Sequence, residues 1–136
     1  MNTITTLAEL EETSALIPQF HKKGGLLPVV VQEFATGQIL MVAWVNQDAF
    51  NYTIENKVAA FFSTSRNSLW IKGESSGNYL IIKEVLIDCD QDSVIYKVTL
   101  TKGGVCHTLN QYKQNRHSCF YRKLNFDSKE LEFLEK

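Results

Sequence analysis

The chain reads as a strand-dominated α+β fold, and three observations carry that reading. Its middle is dense in β-branched and aromatic residues with period-two alternation: Val94, Tyr96, Val98 and Leu100 alternate with Ile95, Lys97 and Thr99. Two apolar runs, 27–34 and 38–45, bracket Ala35-Thr36-Gly37, the short glycine-containing connection of an antiparallel β-hairpin. Helix signals are few and short.

Each element has its own signal. Thr6 followed by Glu9 forms a capping box for a short helix through Leu10. Gly24-Gly25 ends this lead-in, and the hairpin follows. Asn46 can cap a helix over 47–55, with Phe50 and Ile54 one turn apart on its buried side. Strands are expected over 58–63, 79–89 and 93–100. Asp127 and Glu130 frame a closing helix through Phe133 and Leu134.

With 136 residues, 7 Gly, 2 Pro and no linker-like stretch, residues 1–136 are expected to form one domain. A net charge of -1 provides no global field toward nucleic acid or an anionic membrane, so a charged partner must be bound locally. The longest apolar runs fall far short of the ~20 residues of a membrane span. The acidic N-terminus lacks the basic n-region of a signal peptide, so a cytoplasmic location is expected. Three cysteines without a CxxC pair fit reduced thiols or thiolate ligands better than a disulfide framework.

The densest constellation is Asp88-Cys89-Asp90-Gln91-Asp92. If extended, it sends its carboxylates to one face and Cys89 to the other. Carboxylates suit Mg²⁺ or Ca²⁺, and a thiolate suits Zn²⁺. Alternate residues on a regular strand lie almost 7 Å apart, so sharing one small ion requires a strand end running into a turn. Cys106 and Cys119 bring the thiols to three, the number of protein ligands in a catalytic zinc site that keeps an open position. His107, beside Cys106, has the chemistry of a general base near neutrality. His21 and His117 read as surface or hydrogen-bonded structural residues. Residues 65–78 place Arg66, Trp70, Lys72, Glu74, Ser75 and Ser76 close in sequence, a combination suited to a phosphorylated ligand with a stackable base. Each feature also has a plain structural reading. Acidic turns are common, free cysteines are often small buried hydrophobes, and 65–78 can be a polar loop around one core Trp.

Together these segments resemble the phosphoribosyl-AMP cyclohydrolase family of histidine biosynthesis. GLLPVVVQEFATGQILMVAWVNQDAF resembles its opening hairpin and helix, and FFSTSRNSLWIKGESSGN its substrate loop. DCDQD resembles its metal motif, and CHT with SCFYR its closing segment, the likeness covering about 24–122. The resemblance implies Zn²⁺ at Cys89, Cys106 and Cys119, Mg²⁺ at Asp88, Asp90 and Asp92, and an intertwined homodimer that shares the zinc site between subunits. It also implies hydrolysis of 1-(5-phosphoribosyl)-AMP at the N1–C6 bond of its adenine. His107 would manage the proton, and Arg66, Lys72, Ser75 and Ser76 would hold phosphate. One departure stands out: twelve residues separate Cys106 from Cys119 where the family usually has six, the extra piece lying within 109–115. Loop length is thermodynamically cheap, so both thiols are still expected to reach one metal, with Asn115 replacing the family's turn Gly. The alternatives are a divergent zinc amidohydrolase acting on another purine nucleotide, and a non-catalytic metal- or nucleotide-binding module.

Overall fold

The computed structural model describes residues 5–136. In chain order its elements are α1 (Leu7–Glu11), β1 (Leu27–Glu33), β2 (Ile39–Val45), α2 (Gln47–Asn56), β3 (Ala60–Ser63), β4 (Ser68–Ile71), β5 (Leu80–Ile87), β6 (Val94–Leu100), β7 (Arg122–Leu124) and β8 (Leu131–Phe133). Four of them build the main sheet in the order β2-β1-β6-β5. The β1–β2 hairpin and the β5–β6 pair are antiparallel, but β1 and β6 run parallel, with Val29 opposite Val94 and Val31 opposite Tyr96. The expected strand-rich α+β class is therefore present, with a parallel seam at the centre of the sheet.

The alternation seen in the sequence is the alternation of burial. Leu27, Val29 and Val31 of β1 and Val94, Tyr96 and Val98 of β6 point into one core with Leu40, Val45 and Leu80. The β3–β4 hairpin covers that core through Phe61, whose ring lies 5.0 Å from Trp70 and 6.3 Å from Tyr96. The opposite face of the sheet is also apolar: Trp44 and Pro28 pair across β2 and β1, and Val42, Val30, Ile95 and Leu86 form a row across all four strands.

The helix caps behave as their residues dictate. Thr6 and Glu9 cap each other's backbone at α1, and the Asn46 side chain accepts the Ala49 N–H at 2.9 Å to start α2. The buried face of α2 differs from expectation: Ile54 is exposed, and Thr53 is buried with Ala49 and Phe50. Thr53 donates its hydroxyl to the Ala49 carbonyl at 2.9 Å and accepts the Ala60 N–H at 3.0 Å, which fastens α2 to β3.

No closing helix forms; residues 122–133 make the β7–β8 hairpin. The Asn125 carboxamide accepts the N–H groups of Asp127 and Ser128 at 2.9 and 3.0 Å, and Lys129 turns left-handed at φ 60°. The N–H groups of Lys129 and Glu130, which Asp127 was expected to serve as a helix cap, are met instead by the Asn125 carbonyl at 2.8 Å and the Ser128 hydroxyl at 3.3 Å. Among the described residues no helix is long and apolar enough to cross a membrane.

Candidate functional site

The DCDQD segment is the expected strand end running into a turn. β5 stops at Ile87, Gln91 takes φ 56°, and β6 begins at Val94. The Asp88 carboxylate accepts the N–H groups of Asp92 and Ser93 at 2.9 and 3.2 Å and the Ser93 hydroxyl at 2.6 Å. The resulting bend brings one oxygen each from Asp88, Asp90 and Asp92 within 4.8 Å of one another. Opposed ligands of an octahedral Mg²⁺ lie about 4.2 Å apart, so these hard oxygen donors would have to close by roughly half an ångström to share that ion. Burial and the neighbouring carboxylates of Asp88 and Asp90 hold the Asp92 carboxyl above its ordinary value, and Lys22 stands 3.4 Å from Asp90 and 3.5 Å from Asp92. Gln91 anchors the turn. Its buried carboxamide donates to the carbonyls of Leu10 and Ala15 and accepts the Ile17 N–H, tying the N-terminal arm to the acidic loop.

The thiols divide into a pair and a single. Cys106 donates its N–H to the Arg116 carbonyl and Val105 to the His117 carbonyl, both at 3.1 Å, which lays 104–106 alongside 115–117. The approach requires glycine: a Cβ on Gly104 would stand 2.1 Å from the Arg116 oxygen. Cys119 is tethered to β2 by its N–H, which donates to the Leu40 carbonyl at 2.8 Å. The two thiols are near enough to perturb each other's titration. Burial alone would raise Cys106, but the Thr108 hydroxyl and N–H, the Cys119 thiol and Arg116 outweigh it and draw the thiol below its ordinary value. Burial and the Cys106 thiolate push Cys119 up to about 11. The pair has the soft donors that suit Zn²⁺.

Cys89 lies elsewhere, exposed in a cleft with Leu10 and Ala15. It precedes β6 and the pair follows it, so the 7 residues of that strand hold them roughly 20 Å apart. Among the described residues the one group of three potential metal ligands is the aspartate cluster, so a single copy does not gather the three sulfurs.

The extra residues explain how a long loop leaves Cys106 and Cys119 adjacent. Leu109 and Asn115 pair antiparallel, and Asn110 donates its N–H to the Gln114 carbonyl at 2.8 Å, folding the insertion back as a miniature hairpin. Lys113, at φ 62°, takes the left-handed position expected of Asn115; Asn115 instead donates its amide to the Cys106 carbonyl at 2.9 Å.

Beside the pair lies a cavity of about 590 Å³, within the usual range for small-molecule sites, lined by Cys106 and the exposed His107. Lys72 and Ser76 reach it from the 65–78 segment, Lys72 with its ammonium 2.6 Å from the Val105 carbonyl. Arg66 does not: it sits in the β3–β4 turn, roughly 14 Å away along β4, with its Nε 3.3 Å from the Ser63 hydroxyl. Trp70 packs on Phe61 at the core margin, and Glu74 and Ser75 are exposed in the following loop. His117 is structural, its Nε2 2.9 Å from Glu33. Sequence reasoning missed Asn78, whose buried amide donates to the carbonyls of Gly103 and Gly104 and accepts the Lys102 N–H, fixing the cavity wall. It also gave Gln91 no role. Neither residue type signals a long-range clamp without its partners in view.

Fold and donors define a class: a small α+β protein with a hard carboxylate turn at one end of a strand and a soft thiol pair beside a nucleotide-sized cavity at the other. The family model described as phosphoribosyl-AMP cyclohydrolase matches residues 41–121. Three similar proteins carry that same name. One from Chlorobium phaeovibrioides is 50% identical over 76% of this chain and 70% of the relative. Another, from Solibacter usitatus, is 47% identical over 78% and 79%. A third, from Methanosphaera stadtmanae, is 49% identical over 75% and 74%. The chain belongs to the phosphoribosyl-AMP cyclohydrolase family.

Proposed function

We propose that this chain hydrolyses 1-(5-phosphoribosyl)-AMP, opening the adenine ring at N1–C6 to give the phosphoribosylformimino-AICAR nucleotide of histidine biosynthesis. The observation that carries the reading is Cys106, its titration perturbed by the neighbouring Cys119, set beside His107 at a nucleotide-sized cavity in a chain of this family. Family membership favours it over a zinc amidohydrolase of another purine nucleotide or a non-catalytic module. Zn²⁺ on Cys89, Cys106 and Cys119 would supply Lewis acidity that activates water near neutral pH. His107 takes the proton of the attacking water and returns it to N1 as the C6–N1 bond breaks, so the ring nitrogen leaves and C6 becomes a carboxamide carbon. Lys72 and Ser76 hold phosphate at the cavity, and Mg²⁺ belongs to Asp88, Asp90 and Asp92. Arg66, Trp70, Glu74 and Ser75 keep the substrate roles that the family resemblance implies, outside this cavity.

The working unit in this reading is a homodimer. One chain separates Cys89 from the other two sulfurs, and the apolar row Val42-Val30-Ile95-Leu86 offers a second copy a face to cover. The protein is expected to work in the cytoplasm. Ultraviolet monitoring of zinc-loaded protein with phosphoribosyl-AMP tests the function: ring opening is expected, lost on chelation and restored by Zn²⁺. Absence of turnover by protein shown to contain stoichiometric zinc overturns it.

A further inference from the structure

The extra residues between Cys106 and Cys119 are part of the cavity wall. Its residue Gln114 lines the space beside Cys106 and His107, together with Lys102, Gly103 and Gly104 from the loop after β6 and with Lys72 and Ser76. No carboxylate lines that cavity. Its polar groups are mostly engaged: the Lys72 ammonium is held by the Val105 carbonyl, and Asn115 is spent on the Cys106 carbonyl. Besides His107, two polar side chains remain. Lys102 makes no ion pair among the described residues, and the Gln114 carboxamide has no partner among them, although its backbone is fixed by two bonds with Asn110. The miniature hairpin is itself pinned, since Gln111 donates its N–H to the Lys136 carbonyl and Asn110 its amide to Glu135. Glu135 borders Lys102 and Gln114 in an adjoining cavity, but its carboxylate accepts the Asn110 amide and the His117 N–H, so a free ammonium and a pre-positioned amide are left to face an anion such as a phosphate monoester.

We propose that Lys102 and Gln114 bind a phosphate group of the nucleotide substrate, so that the insertion supplies a substrate-binding residue. The inference rests on the proposed activity and deepens it. Both residues act on binding and not on the bond that breaks, so their loss raises KM and leaves kcat in place. Steady-state kinetics with phosphoribosyl-AMP on zinc-loaded protein provide the test. Lys102→Ala is expected to raise KM roughly tenfold or more with kcat within about twofold, and Lys102→Arg to restore most of it. Gln114→Ala is expected to raise KM roughly threefold. Zinc content and Tm of all variants should equal those of the parent, because both side chains are exposed and outside the thiol pair. An unchanged KM in Lys102→Ala, or a loss confined to kcat, overturns this inference alone. A parent protein that fails to turn over overturns the activity itself.

Discussion

Gly104 owes its place to the carbonyls of Arg116 and Asn115, which a Cβ would meet at 2.1 and 2.5 Å. Gly104→Ala must push the 115–117 segment away and with it the backbone that holds Cys106. A destabilisation of about 2 kcal/mol or more is expected, with weakened zinc binding by metal titration. A variant of parental Tm and zinc affinity refutes the close packing. Glu33 is a second residue with a readable consequence. Burial would raise its carboxyl, but the His117 ring and the Thr36 hydroxyl outweigh it and hold it below the ordinary 4.5. A carboxyl depressed by folding stabilises the protein above its unfolded value and loses that contribution as pH falls through its folded one. In urea unfolding, the advantage of the parent over Glu33→Gln should therefore be full at neutral pH and shrink below pH 4.5. A gap that stays constant down to pH 3 rejects the pairing. Of these residues the sequence announced Cys106 and His107 through their neighbours. It was silent on the bond of Glu33 to His117, 84 residues away, and on Asn78, whose carboxamide partners lie 24 to 26 residues away.

The elements divide by how local their causes are. The β1–β2 hairpin, the α1 capping box, the Asn46 cap of α2 and the β5–β6 pair were legible because each is specified by residues adjacent in the chain. The C-terminal segment misled for the same reason: Asp127 and Glu130 have helix-capping spacing, yet the Asn125 carbonyl takes the Lys129 N–H and the Ser128 hydroxyl the Glu130 N–H, closing a turn instead. Ile54 lost its expected burial because β3 offers an N–H at that face, and Thr53 alone among the helix residues there can accept it. Thr53→Val keeps the shape and removes that acceptor. The stranded Ala60 N–H should cost about 2 kcal/mol and lower Tm by roughly 5–8 °C, read by calorimetry, with kcat preserved at low temperature. An unchanged Tm denies that the hydroxyl joins helix to strand.

At the scale of the molecule, thiols at opposite ends of β6 demand a second copy if all three are to hold one ion. Cys89→Ser and Cys106→Ser are each expected to be inactive. Mixed after subunit exchange, half of the dimers would carry one of each chain, and each of these would have one intact site of two. About a quarter of parental activity should return. A mixture as inactive as its components removes the shared site. The parallel seam was the feature least visible beforehand, because period-two alternation states that a strand has a buried face and not which neighbour it will meet. That seam sets the order of assembly during synthesis. Val29 must wait for Val94, 65 positions later, before the centre of the sheet can close. Until then the nascent hairpin carries an open apolar edge, the feature most prone to misassociation during folding.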